Sequence, residues 1–322
     1  MIYIRKQSCQ EILDITLSPG VSVQLFGKQG YTHSQLQAIN KLLATNNCII
    51  HLDCDFGEFN KGNGLIYNLH IIEYLTNVRQ LFITNYSYKV ELDSIEFVLH
   101  TPRLQCLSLS GQIKNNISFQ SLLKLNGLDT LLFGEYMNLS KKQCQTINCL
   151  TNLKELSVKG LDAKYLLPNS NMIRLSIYSK LKNMDSLPHI FPNLEYLYLR
   201  RQTNCSDFSW ISKFFKLKKL YLHWIYGLEK LPDLSNIQDL ELLELARCPN
   251  LSDGMEGLAS LQNLKRFFAT ELTQLTTEVF ESTLPYLKNL KSVYIYFRNN
   301  NAENKTMDGL MKKYNWNSLP IY

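Results

Sequence analysis

Most of the short motifs that announce a chemistry are missing from this sequence, and each absence narrows the field. The eight cysteines include no C-x-x-C pair, and the nearest approach, Cys144 and Cys149, leaves four residues between them. Structural zinc sites bring ligands in close pairs, so free, buried thiols are the expectation, with no metal and no cofactor. No G-x-S-x-G elbow, P-loop or H-E-x-x-H occurs, and Gly62-Asn63-Gly64 has the wrong spacing for a dinucleotide fingerprint. No apolar run reaches the roughly 18 residues that span a bilayer. Residues 1–11 lack the unbroken apolar stretch of a secretory signal, so a cytosolic protein without membrane contact is expected. Charge of one sign is scarce as well. Up to Leu161 there are 14 basic and 12 acidic residues, and beyond it 20 and 16. Neither half, at +2 and +4, has the tail that draws nucleic acid or membrane in bulk, and no dense basic stripe emerges.

What is present is apolar mass, 45% of the chain, arranged with a period. An apolar residue, two others, an apolar residue, one other and an apolar residue recur down the sequence. The clearest copies are Leu194-x-x-Leu197-x-Leu199, Leu217-x-x-Leu220-x-Leu222 and Leu240-x-x-Leu243-x-Leu245. Softer ones start at Val78, Leu104, Leu128, Leu153, Met172, Leu264 and Leu290, and the first is read as Ile49-x-x-Leu52-x-Cys54. Successive starts differ by 19 to 29 residues. Alternating apolar positions turn every second side chain of a short strand inward. One such unit cannot cover its own apolar face, so neighbours must stack.

With this frame and period, residues 46–298 resemble the leucine-rich-repeat proteins. The resemblance implies an α/β fold: a solenoid curved like a horseshoe, about 11 repeats, with a parallel β-sheet on the concave side. Return segments read as short helical turns at 118–125, 141–150, 207–215 and 277–287, the last opening with Thr277 as N-cap. Leu231-Pro232-Asp233-Leu234 reads as an extended return. Residues 1–45 read as an N-terminal cap, with strand-like pieces at 12–17 and 21–26 and a helix over 32–44. Residues 299–322 read as a C-terminal cap with a helix near 307–313 and Trp316 sealing the last repeat. One departure stands out. The family often carries Asn or Cys three positions after the last framework leucine, where it bonds neighbouring turns; only Cys248 fits, with Tyr86, Leu161, Ile225 and Leu272 standing at other copies.

Residues between framework positions face solvent together, and stacked strands bring equivalent ones about 4.8 Å apart. The middle of the chain offers small, uncharged residues there. The copies from Met172 onward offer Arg174, Tyr178, Tyr196, Tyr198, Arg200, Lys219, Tyr221, His223, Trp224, Glu244, Arg247, Arg266, Phe268, Tyr294 and Tyr296. Tyr and Phe suit a pleated sheet whatever its function. Tyr, Trp and Arg also dominate interface hot spots, and their clustering with cations in one region favours a partner-binding surface. The expected partner is another protein with an acidic, partly apolar face.

Two constellations suggest chemistry and fall short of it. His51, Asp53 and Asp55 share a strand face ahead of Gly57-Glu58, but an EF-hand loop needs a ligand at Gly57 and a glutamate where Gly64 stands. His223 lies near Tyr198 and Glu244 on a face with no pocket to exclude water. The expectation is therefore a noncatalytic protein-binding module. Its high Asn, Ile and Lys content looks like that of cytosolic bacterial repeat proteins, some of which are immunity proteins that neutralise a cognate toxin. An adaptor or substrate-recognition subunit, an RNA-binding scaffold and a secreted effector stay open as alternatives.

Overall fold

The computed structural model describes residues 1–18, 20–56, 64–85, 90–203 and 205–317. They divide into two compact units, Met1–Lys159 and Gly160–Tyr322. In the first unit the strands are β1 (Ile2–Ile4), β2 (Ser22–Phe26), β3 (Ile49–Cys54), β4 (Gln80–Asn85), β5 (Cys106–Ser110), β6 (Thr130–Leu132) and the start of β7 (Glu155–Asp162). Each pairs in parallel with the next in chain order. The unit's helices are α1 (Cys9–Leu13), α2 (His33–Thr45) and α3 (Lys141–Asn148).

The second unit repeats the plan with β8 (Arg174–Lys182), β9 (Tyr196–Arg200), β10 (Lys219–His223), β11 (Leu242–Ala246), β12 (Arg266–Leu272) and β13 (Ser292–Phe297). These too are parallel and sequential. Its helices are α4 (Leu187–Ile190), α5 (Thr277–Glu281) and α6 (Asn301–Lys313). Parallel strands in chain order, each followed by a short return, make the fold a leucine-rich-repeat solenoid. Among the described residues no helix is long and apolar enough to cross a membrane.

The frame forms the core as the alternation demands. Leu197, Leu220, Leu243, Phe267 and Val293 stand side by side in register, and all are fully buried. Burial of each such side chain stabilises the fold by about 1.5–3 kcal/mol, and cross-repeat contact supplies it. Returns are mostly single 3-10 turns, as at Gln120–Lys124, Ser209–Lys213 and Met255–Ser260, because 23 or 24 residues leave little length beyond strand and connections. The longer step from Leu128 to Leu153 houses α3, with Ser140 and Gln143 forming a capping box. Residues 231–234 stay free of helix, as Pro232 suggests.

Four local expectations change. The first copy slips by two residues: Ile50 pairs with Leu81 and Leu52 with Ile83, so its frame is Asn47-x-x-Ile50-x-Leu52. A slip of two preserves which side chains point inward, but His51 now stacks on Phe82 and Asp53 beside Thr84. Residues 12–17 are no strand; Ser8 and Glu11 close a capping box that starts α1. Thr276 occupies the N-cap position of α5, while Thr277 is its buried first residue, bonded to Glu303 of α6. Trp316 is half-buried and stacks on Tyr314 at 5.0 Å, while Asn317 closes a parallel bridge to Ser292 on β13.

The stitching between repeats also lies elsewhere than expected. Cys248 does donate its thiol to Leu222 O of the preceding repeat, at 3.4 Å. Gln202, at the same position three residues after Leu199, accepts from Leu181 N and donates to Ile177 O. The longer ladder runs one residue before the frame. Asn77, Asn152, Asn193, Asn263 and Asn289 each donate Nδ2 to a backbone carbonyl one repeat back: those of Asn40, Asn126, Ser170, Gln238 and Gln262.

Candidate functional site

The fifteen residues singled out from sequence all fall in the second unit, on β8–β13 or one step beyond a strand end. Register sorts them into columns. Arg174, Tyr196, Lys219, Leu242 and Arg266 form one, and Ser176, Tyr198, Tyr221, Glu244, Phe268 and Tyr294 the next. A third runs Arg200, His223, Ala246, Thr270 and Tyr296.

The first strands of this unit gather their aromatic rings into one patch. Tyr198 lies 5.2 Å from Tyr178, 6.1 Å from Tyr221 and 4.9 Å, edge-on, from the His223 ring. Tyr196 and Tyr221 are 5.1 Å apart, and the Arg174 guanidinium sits 4.3 Å from the Tyr196 centroid. Rings at such separations hold one another, so the patch is ordered before any partner arrives. Burial, and then the Tyr221 phenol, push the Tyr196 hydroxyl well above its ordinary pKa; burial also raises that of Tyr221. Both therefore stay neutral hydrogen-bonding groups at physiological pH. His223 Nε2 lies 2.8 Å from Glu244 Oε1 but is not aligned for a hydrogen bond, which leaves an electrostatic contact.

Toward β11 and β12 the expected surface closes. Glu244 and Phe268 stand in the outward column but are each only 7% exposed, so they underlie the face instead of presenting it. Lys219, Arg266 and Tyr296 are exposed, and Tyr294 is half-buried.

Trp224 and Arg247 belong to a different feature, a rim at the carboxyl ends of the strands. Arg201, Trp224, Arg247, Glu271 and Asn299 all adopt left-handed backbone, with φ between 50° and 58°. Arg201, Trp224 and Arg247 each follow a strand end and donate their N–H to the next repeat, at the carbonyls of His223, Ala246 and Thr270, while Glu271 is the next-to-last residue of β12 and Asn299 lies two residues past β13. Side chains rarely accept that conformation, which costs about 1 kcal/mol or more per residue. The repeated turn swings long side chains onto one edge. There Trp224 meets the guanidinium groups of Arg247 at 4.2 Å, Arg201 at 5.0 Å and Arg200 at 5.7 Å.

Next to Trp224 a cavity of about 320 Å³ opens, lined by Tyr226, Pro249, Glu271, Tyr296, Arg298 and Asn299 as well as Trp224 and Arg247. The frame rule does not single out Tyr226, Pro249, Glu271, Arg298 or Asn299, because they lie past the outward columns, at or beyond the carboxyl ends of the strands. Their signal is positional, the first residues beyond each outward column. The opposite rim neutralises itself, with Lys218 on Glu195 at 3.0 Å and Lys265 on Glu241 at 2.6 Å.

In the first unit the tempting trio is dispersed in function. His51 packs edge-on to Phe82 at 5.1 Å, and Asp55 pairs with Lys28 at 3.6 Å. Gly57, Glu58, Gly62, Asn63 and Tyr86 lie outside the described residues. Among the described residues no group of three His, Cys, Asp or Glu side chains is placed to hold a metal ion.

No family model matches the chain, and no curated protein matches it. Among solved structures it is similar to a plant peptide hormone receptor in complex with RGF2, at 16% identity and a TM-score of 0.43, over 88% of this chain and 47% of the receptor. The chain thus spans about half the length of that receptor. It is also similar to a leucine-rich-repeat protein of Leptospira interrogans, at 13% identity and a TM-score of 0.42, over 97% of this chain and 98% of that one. An internalin of Listeria monocytogenes is 18% identical, with a TM-score of 0.33, over 75% of this chain and 88% of the internalin. The fold assignment itself rests on the strand register and the repeated frame of this chain.

Proposed function

We propose that the chain is a noncatalytic protein-binding module that holds its partner on the outward face of β8–β13. The observation that carries this reading is the mutually packed patch of Tyr178, Tyr196, Tyr198, Tyr221 and His223, flanked by Arg174. Such pre-ordered aromatic and arginine groups lose little freedom on binding, which makes them efficient contact residues. Arg200, Lys219 and Arg266 add positive charge around it, so the favoured partner surface is acidic with apolar patches. Glu244 supports His223 from beneath, and Phe268 supports the neighbouring strand positions. Residues 1–45 and 299–322 are assigned the role of closing the two ends of the repeats at 46–298.

In its finer form the reading is a cytosolic immunity protein that occludes a cognate toxin, which the compositional resemblance to bacterial repeat proteins favours. The direct test compares partner capture from native lysate by the wild type and by a Tyr198→Ala, Tyr221→Ala, Arg200→Ala variant of verified fold. A partner lost with the variant supports the surface; equal capture by both removes the site from this patch. The finer form fails if the chain gives no growth protection against a toxin encoded beside it.

A further inference from the structure

We propose that the rim cavity beside Trp224 is a subsite for an acidic side chain of the protein partner, and that Glu271 fills it as a stand-in until the partner arrives. This rests on the reading of the adjoining strand face as protein-binding. The cavity already shows what it accepts. Glu271 Oε1 lies 2.6 Å from Arg247 Nε, and its Oε2 lies 3.8 Å from Arg298 Nη1. One guanidinium is thus engaged and the other held loosely by the same carboxylate, an arrangement that a carboxylate able to reach both arginines closely would improve on.

The arginine is also positioned in advance. Its guanidinium packs on Trp224 at 4.2 Å, and the left-handed turns at 224, 247 and 271 fix the three backbones from which these side chains spring. Strained turns repeated in consecutive repeats, each with a long side chain where glycine would relax them, are a feature that folding alone does not require. The walls offer apolar contact around the charge: Tyr226 and Tyr296 are both exposed, and Pro249 and the ring of Trp224 line the same cavity. An acidic residue next to an aromatic or aliphatic one matches that lining. The opposite rim instead pairs Lys218 with Glu195 and Lys265 with Glu241.

Exchange of carboxylates accounts for the role of Glu271. The intramolecular pair keeps Arg247 directed into the cavity and screens it from adventitious anions. A partner carboxylate that reaches both arginines displaces Glu271 toward solvent, where its side chain is already 25% exposed.

The test uses the full chain and the capped peptide acetyl-Gly-Glu-Tyr-amide, with its Gln counterpart and inorganic phosphate as comparisons. The readout is the indole N–H resonance of Trp224, assigned by its loss in Trp224→Phe. The Glu peptide should move this signal and the Gln peptide should not. Glu271→Gln should tighten the peptide's midpoint by about fivefold or more, since the internal competitor is gone. Arg247→Gln with Arg298→Gln should abolish the response.

A gain in affinity in Glu271→Gln cannot come from misfolding, so that arm stands whatever happens to the arginine variant. An equal response to the Gln peptide, a stronger one to phosphate, or an unchanged midpoint in Glu271→Gln overturns the assignment. Should the partner depend on Tyr198 and Tyr221 while the peptide leaves Trp224 unmoved, the rim inference fails alone. Should the peptide bind while the tyrosine variant still captures the partner, the strand-face reading fails alone.

Discussion

The two units share one inward frame and differ in what they carry outward. In the first, the column opposite the core runs Gln24, His51, Phe82, Ser108, Leu132 and Ser157. In the second, the equivalent column runs Ser176, Tyr198, Tyr221, Glu244, Phe268 and Tyr294. The inward partners are the same kinds of residue in both: Leu107 and Leu131 in one, Leu220 and Leu243 in the other, all fully buried. A parallel ladder constrains the identity of the inner side chains by packing and lets that of the outer ones vary. Function therefore has to be sought in the outer columns and at the strand ends.

The comparison can be broken or sharpened in four ways. Equivalent core truncations, Leu107→Ala and Leu220→Ala, should each cost about 2–5 kcal/mol in urea unfolding, because both lose packing on both sides. A difference far outside that range would show that the two cores are not equivalent. Outward truncations should separate the units: Tyr198→Ala or Tyr221→Ala should weaken partner binding by about 2 kcal/mol, whereas Ser108→Ala and Leu132→Ala leave it unchanged. Equal losses from both sets, measured by calorimetry with the purified partner, would erase the distinction.

Alkaline pH should destabilise both units, the first through two thiols and the second through one. Burial pushes the thiols of Cys54 and Cys106 in the first unit and Cys248 in the second up to about 12. An unfolded thiol ionises near 8.5, so the folded chain retains these protons where the unfolded chain releases them. Stability from this source is full below about pH 8 and falls as pH climbs toward 12, by about 1.4 kcal/mol per thiol per pH unit. Exposed Cys149 should react first with a thiol reagent, well before these three. The smallest effect concerns the stitching. Asn193→Ala removes one amide bond to Ser170 O in an exposed seam and should cost about 1 kcal/mol or less. Gln202→Ala orphans the buried Leu181 N–H and Ile177 carbonyl and should cost about 1–3 kcal/mol.

Much of this molecule was legible in its residues, and the failures share a cause. All eleven strand segments expected from the frame are strands, because a frame of inward leucines has a short period and repeats. The first copy slipped by two because Asn47, at its first framework position, is polar, whereas Ile49 and Cys54 offered an apolar match in the same parity. Column membership of the aromatic residues followed from the frame, but their depth did not. Phe268 and Glu244 are covered by neighbours whose orientation no single strand specifies. The left-handed rim was invisible because Arg201, Trp224, Arg247 and Glu271 are poor advertisers of that conformation; glycine or asparagine would have marked it. Gln202 escaped because the residues expected at its position are Asn and Cys, and the ladder of asparagines ahead of the frame because the expected bonding position lies three residues after it.

That ladder has a mechanical consequence. Asn193, Asn263 and Asn289 each tie one return to the one before it, and Asn193 also accepts from Lys216 Nζ of the one after, so the seams are fasteners in series. Pulled from one end, such a chain should yield seam by seam. Each rip should release one repeat, here the 23 residues from Leu194 to Leu217 or from Leu217 to Leu240, or about 80 Å of extended backbone. The force trace would be a regular sawtooth, its spacing a direct transcript of the repeat lengths written in the sequence.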